Sequence, residues 1–200
     1  MTSAVQVLGA GGHARVVIAT LLDLGHFVTG VWDDDPQLHG TSCLGVTVLG
    51  SMTEAPSDLD TVIAVGDNAT RARIANAKAL PWITAVHPRA YVHPSATLGA
   101  GTVVFAGAVI QPQAVLGTHV IVNTSASIDH DCAIGDFAHL GPGVHLCGNV
   151  TIEEGALLGV AAAARPGARV GAWAIVGAGA VVIDPVASRV TAIGAPARPR

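Results

Sequence analysis

Two hundred residues carry 12% charged and 50% hydrophobic side chains, with a formal net charge of −4. That balance excludes a nucleic-acid groove, which needs a basic face. It does not point to a membrane protein either, because the longest clean apolar run, Ala172 to Ile183, has twelve residues, short of the roughly 18–20 that span a bilayer.

No charged segment leading into an apolar core opens the chain, so no secretion signal is expected. Three cysteines are an odd, low number, and we expect reduced thiols in a cytoplasmic protein. Val5 to Leu8 reads as a buried strand, followed by the turn Gly9-Ala10-Gly11-Gly12-His13-Ala14 and a helix from Arg15 to Leu24. A second strand, Phe27 to Trp32, ends at Asp33-Asp34-Asp35-Pro36. Strand, glycine turn, helix, strand and acid fit the G-x-G-x-x-A fingerprint of nucleotide binding. The glycines let backbone N–H groups approach a phosphate at a helix N-terminus, and the acid accepts from a ribose or a base. A tight turn alone would also use these glycines, and a solvated loop would also use these acids.

A third strand, Thr61 to Val65, leads through Gly66-Asp67-Asn68 into a helix from about Ala69 to Leu80. Residues 1–85 therefore make an α/β domain of about half a dinucleotide fold, a size that suits a mononucleotide or a nucleotide sugar. Two His-Pro pairs between His87 and Pro94 predict an extended linker.

From Val92 to Val182 every sixth residue is aliphatic, sixteen in succession, and only Ala164 is smaller than valine. Four positions after each stands a small residue, from Ala96 and Thr102 through to Val186. A period of six fits neither a helix nor a single strand. It is the hexapeptide repeat of a parallel β-helix, here the left-handed kind. Three hexads close one triangular coil, and about five coils stack at roughly 4.8 Å. Residues 86–200 are this β-helix with a short basic tail, Ile193 to Arg200.

The prism interior is aliphatic, so chemistry must lie on outer faces and corners. Residues eighteen apart stack. One corner column reads Pro94, Pro112, His130, Gly148, Pro166, Asp184. Its single imidazole is flanked by Asp129 and Asp131 and faces a glycine, which describes a general base with an orienting acid. Either acid can serve as that partner. His139 and His145 project from flat faces nearby, as does Asn123. His26, His39 and His119 are expected at the surface. Cys132 points inward, and Cys147 points outward with no cation beside it, which disfavours covalent catalysis. A zinc lyase of the γ-carbonic-anhydrase kind shares the prism but uses a His-x4-His pair, absent from the spacing of 130, 139 and 145. A non-catalytic scaffold with a polar corner is the remaining rival.

Several segments together carry a resemblance that spans nearly the whole chain: Gly9-Ala10-Gly11-Gly12-His13, Trp32-Asp33-Asp34, Ile63 to Asn68, Asn123 to Cys132, Ile134 to His139, and Gly194 to Arg198. The chain resembles the nucleotide-sugar N-acetyltransferases of the sialic-acid O-acetyltransferase type. The resemblance implies a homotrimer with active sites between prisms and acetyl-CoA as cosubstrate, with no metal, nucleic-acid or membrane partner. It implies His130 as base and Asp131 as its orienting acid, although relatives often use Glu, one methylene longer, and Asp129 remains the alternative. It places His139 and Gly148 at the thioester end of acetyl-CoA, Val160, Gly177 and Ala178 along the cofactor, and Arg198 at its phosphates. It places Gly11, Gly12 and His13 near the substrate phosphates, Asp33 and Asp34 near the nucleoside, and Gly66 close by. The expected reaction is N-acetylation of a nucleotide-linked 4-amino-4,6-dideoxy sugar. O-acetylation of sialic acid or a related sugar is the rival within the class.

Overall fold

The computed structural model describes residues 3–200. The α/β part is built from β1 (Ala4–Leu8), α1 (Gly12–Asp23), β2 (Phe27–Trp32), β3 (Ser42–Cys43), β4 (Val46–Gly50), β5 (Asp60–Ile63) and α2 (Asn68–Ala77). Its sheet has the order β3-β4-β2-β1-β5. All pairings are parallel except β3 with β4. Two of these five strands, β3 and β4, are absent from the sequence reading. Their signal was present: Gly45 is a left-handed turn residue, followed by the alternating run Val46-Thr47-Val48.

The second part is a left-handed parallel β-helix. Each two-residue strand pairs in register with the one eighteen residues on, as Ile121 with His139 and Ser127 with His145. Inward aliphatic residues such as Ile110, Val122, Ile128 and Leu140 are fully buried, and so are the small Ala108, Ala126 and Ala138. The prism is taller than the sixteen hexads suggested, with sheets of eight, six and five strands. It starts at Ala85–Val86, next to the expected boundary at residue 86, and the His87–Pro94 stretch expected as an extended linker is itself part of the first coil, with Tyr91–Val92 as a strand. Val86 and Ala90 pack against the prism core because they occupy the same inward slots as the hexads above.

Each turn passes through one left-handed residue. Gln113, His119, Ser125, Asp131, Phe137, Asn149, Ala161 and Trp173 all have φ between 52° and 62°, at multiples of six. Their side chains therefore stand in columns at the corners. His119 lies flat on Phe137, with ring centroids 5.4 Å apart and planes 4° apart, and its edge meets Trp82.

The α/β part docks on the face that carries Val103, Ile121 and His139, and Val103, Phe105 and Ile121 share a core with Val5, Val17 and Leu21. A polar clamp lies beside it. Arg71 of α2 is 1% exposed. Its guanidinium donates to the carbonyls of His119, Phe137, Val65 and Gly66 and to Asn68 Oδ1. Asn68 Nδ2 donates to the carbonyls of Gly155 and Ala156.

His119 is thus not a surface residue. It is 4% exposed, because α2 and Trp82 cover the corner it occupies. Burial, followed by the nearby Arg71 charge, lowers its pKa to about 4. An unfolded imidazole protonates near pH 6.5. Between these values the unfolded chain binds the extra proton, so this group costs stability as pH falls through the window. His119→Phe keeps the stack and removes the proton site. Thermal melts at neutral pH and at about pH 4.5 should show a smaller acid-induced drop in Tm for the variant than for the parent.

Candidate active site

Ser127–Ile128 ends a strand on a second prism face, and Ala133–Ile134 begins one on the third. Asp129, His130 and Asp131 turn the corner between them. The left-handed backbone at Asp131, φ 59°, brings its carboxylate back onto the preceding ring. Asp131 Oδ2 lies 2.7 Å from His130 Nδ1. Asp129 instead accepts from the His130 backbone N–H at 2.8 Å. The two acids have separate tasks, and the shorter Asp131 reaches the ring. A carboxylate accepts, so Nδ1 carries the hydrogen and Nε2 keeps its lone pair. The Asp131 bond, with the charge of Asp129 adding to it, raises the pKa of this half-exposed imidazole.

The space expected over the ring is occupied by the ring itself. A Cβ on Gly148 would sit 2.5 Å from His130 Cε1 and 2.6 Å from Nε2. Proline stands at 94, 112 and 166 in the same column because this corner N–H has no ladder partner to lose. At Gly148 the N–H is present and makes no hydrogen bond among the described residues. Beside this corner a groove of about 270 Å³ is lined by Val109, Gln111, Ser127, Asp129, His145 and Cys147. His145 is exposed, with Nδ1 2.8 Å from Ser127 Oγ. Among the described residues no three His, Cys, Asp or Glu side chains gather as ligands for one ion.

His139 projects out of the prism, as expected, but into the seam with the α/β part. Its Nδ1 faces the Gly66 carbonyl at 3.3 Å, and Asn123 Nδ2 faces its Nε2 at 3.2 Å. The ring of His13 lies 6.2 Å away and packs edge-on against Phe105. Burial, then the Arg71 charge, lowers the pKa of both His13 and His139 to about 4. His13 Nε2 is buried with no partner. His13 therefore lies in the seam, one residue past the open glycines.

The glycines at the end of β1 divide in two. Gly9 has φ +105°, and a Cβ there would strike Val65 at 2.8 Å, so the fold requires it. At Gly11 and Gly12 a Cβ would meet nothing within 4 Å. Neither has positive φ, so the chain's own packing does not demand glycine there. Gly11 caps α1 without any side-chain hydrogen bond, and no acid occupies the first turn. This is an open helix N-terminus. Asp33 Oδ2 accepts from Ala10 N–H at 2.7 Å, and its Oδ1 accepts from Asp35 N–H. Asp34 Oδ1 accepts from Ser51 Oγ and Met52 N–H. Both acids thus fix the loops that frame the glycine turn.

Val160 and Ala178 stand at the corner next to His139, above Thr124 and Pro142, and Gly177 lies in the column of Asn123. Val160 is 51% exposed. Arg198 pairs with Asp184 at 2.8 Å, at the top of the His130 column. Within one chain the residues fall into two groups: His130, Asp131 and Gly148 at one corner, and Gly66, His13, His139, Val160, Gly177 and Ala178 about another face, while Arg198 sits on the edge strand of the His139 sheet and only its side chain reaches Asp184. The sequence reading missed Arg71 and Asn68. Their only signal was polar residues three apart on a short helix after an acidic cap, and that pattern describes any solvated first turn.

Residues 4–78 match the PglD N-terminal domain family. The whole chain superimposes on perosamine N-acetyltransferase from Caulobacter crescentus, crystallised as a variant with CoA and GDP-perosamine, with a TM-score of 0.93 and 39% identity over 98% of that enzyme. It superimposes equally on the acetyltransferase domain of PglB from Neisseria gonorrhoeae in complex with acetyl coenzyme A, with a TM-score of 0.91 and 38% identity over all of that chain. WeeI from Acinetobacter baumannii, at 24% identity and TM-score 0.89, shares the fold. An uncharacterised protein, L142, of Acanthamoeba polyphaga mimivirus is 33% identical over 92 residues, 44% of this chain, and the chain spans 18% of its length. The perosamine enzyme and the PglB domain match along their full length, so the chain belongs to the hexapeptide-repeat nucleotide-sugar N-acetyltransferases.

Proposed function

We propose that the protein transfers the acetyl group of acetyl-CoA to the amine of a nucleotide-linked 4-amino-4,6-dideoxy sugar, with His130 as general base. The observation that carries this reading is the His130 corner: a carboxylate on Nδ1, a bare Nε2, and Gly148 packed against the same ring edge with a backbone N–H that has no partner among the described residues. His130 Nε2 takes the amine proton as the C–N bond forms. The Gly148 N–H donates to the oxygen that gains charge in the tetrahedral intermediate. Coenzyme A leaves as the thiol. The GDP-perosamine and CoA bound by the Caulobacter relative support both substrates. Gly11 and Gly12, whose absent side chains the fold does not need, support a phosphate approaching the N-terminus of α1.

The active form in this reading is a homotrimer. The α/β part covers one face of its own prism, and His130 lies at the corner between the other two. A sugar held by one chain therefore meets the His130 of another. The exposed strip of Val160, Ile175 and Ile193 then offers an apolar track for pantetheine, and Arg198 stands above the catalytic column for the CoA phosphates.

Free-thiol release with a panel of GDP-, UDP- and dTDP-linked amino sugars tests the reading directly. His130→Ala should lower kcat by about 10²–10⁴-fold with an unchanged melt; near-normal turnover would exclude the base role. Asp131→Asn removes the main cause of the raised His130 pKa. The acid limb of its kcat/KM profile should move to lower pH while the plateau falls. Gly148→Ala pushes a methyl group into Cε1 and Nε2, and a displacement of that size should cost about 10² in kcat with little change in the KM for the nucleotide sugar.

A further inference from the structure

Two hydrogen bonds fix the protonation pattern of His139 from opposite sides. The Gly66 carbonyl can only accept, so Nδ1 carries the hydrogen. Asn123 Oδ1 accepts from the Thr124 N–H at 2.8 Å, which orients the carboxamide so that its NH₂ points at His139 Nε2. Nε2 is therefore a bare acceptor, and burial beside Arg71 keeps the ring neutral. The Gly66 carbonyl is itself held, because Arg71 Nη1 donates to it at 3.2 Å while Nε and Nη2 are anchored on the prism carbonyls of His119 and Phe137.

We propose that His139 Nε2 is a second acceptor for the substrate nitrogen and selects an amine over a hydroxyl, with Arg71 as the residue that positions the Gly66 carbonyl and so the ring. This rests on the acetyl-transfer reading above. The atoms balance as follows. In the proposed trimer an amine R–NH₂ held beside His139 of one chain gives one proton to the His130 Nε2 of another as the C–N bond forms and the C–S bond breaks. Its other N–H survives in the product amide and stays on His139 Nε2. A hydroxyl has one hydrogen. Once His130 removes it, the ester oxygen faces the His139 lone pair with nothing between them. A neutral acceptor cannot donate to the oxyanion, so that task stays with Gly148. The Asn123 NH₂ that faces His139 Nε2 at 3.2 Å gives way to the substrate N–H.

The test begins with ¹⁵N NMR of histidine-labelled protein without ligand. His139 should show a protonated Nδ1 and a bare Nε2 throughout neutral pH, and the Nε2 resonance should shift when an accepted nucleotide 4-amino sugar binds. A proton on Nε2, or ordinary histidine titration, would overturn the proposal. This measurement does not depend on turnover. An enzyme inactive on every amino sugar would refute acetyl transfer, and the tautomer result would stand apart from it. His139→Phe should lower kcat/KM for the amine about 10- to 100-fold and lower that for the matching 4-hydroxy sugar far less, so that the ratio between the two substrates falls. Equal loss on both substrates would show a merely structural role. Arg71→Lys keeps the charge but not the fork. Together with Arg71→Met it should disturb the His139 tautomer and raise the KM for the sugar more than the KM for acetyl-CoA. An unaltered His139 spectrum in a folded Arg71→Met protein would remove Arg71 from the proposal.

Discussion

On this prism a residue's neighbour is set by number, because i lies directly under i+18 at one strand spacing. Every feature of the proposed site follows from that constraint. Ser127 meets His145, His119 stacks on Phe137, and His130 meets Gly148. The corner adds a second constraint, one left-handed residue in each hexad. At 131 that residue is Asp, a type that tolerates this backbone better than most. The conformation turns its short carboxylate onto the preceding imidazole, so the missing methylene relative to glutamate is made up by the backbone.

The seam between the two parts is held by a different kind of contact. A buried guanidinium without an ion-pair partner is costly. Among the described residues Arg71 has no carboxylate within salt-bridge reach, and burial lowers its pKa to about 10. Its donors go to carbonyls instead, and two of these belong to left-handed corners of the prism. Those corner carbonyls point outward because the turn leaves them without a ladder partner on that side. The guanidinium therefore satisfies groups that the β-helix geometry leaves open, and its charge adds to burial in lowering the pKa of three neighbouring histidines. The same group that docks the domains thereby sets the chemistry of the seam.

How much of this was legible in the sequence depended on periodicity. Sixteen aliphatic hits at a spacing of six left one architecture, and the stacking of 130 under 148 followed by arithmetic. The His87–Pro94 stretch was harder to read, because its two prolines suggest a linker while Val86 and Val92 keep the period of six through it. β3 and β4 were missed because a hairpin of seven strand residues around Leu44-Gly45 is shorter than a pattern window. His119 was misread for a different reason. Its slot is a corner, and corners are exposed unless another domain covers them. No local pattern reports that α2 and Trp82 lie there. Arg71 was invisible on the same ground, since all its partners but Asn68 Oδ1 are backbone carbonyls, which leave no trace in side-chain composition.

The glycines separate what the chain needs for folding from what it keeps for something else. Gly9 is required by its backbone angle and by Val65, and Gly148 by the ring of His130. Gly155 is required by Trp173, whose indole lies where its Cβ would be. Gly11 and Gly12 meet no such demand. A residue that costs backbone entropy and packs against nothing is explained only by a partner that comes close to the backbone. These two glycines stand at an uncapped helix end, framed by Asp33 and Asp34, on the part of the chain that cannot reach its own His130. In the proposed reading the ligand they admit extends past the seam, along Gly66 and His139, toward the His130 of a second chain. A nucleotide joined to a sugar has that length and that polarity: phosphate at the helix end, and an amine at the far side.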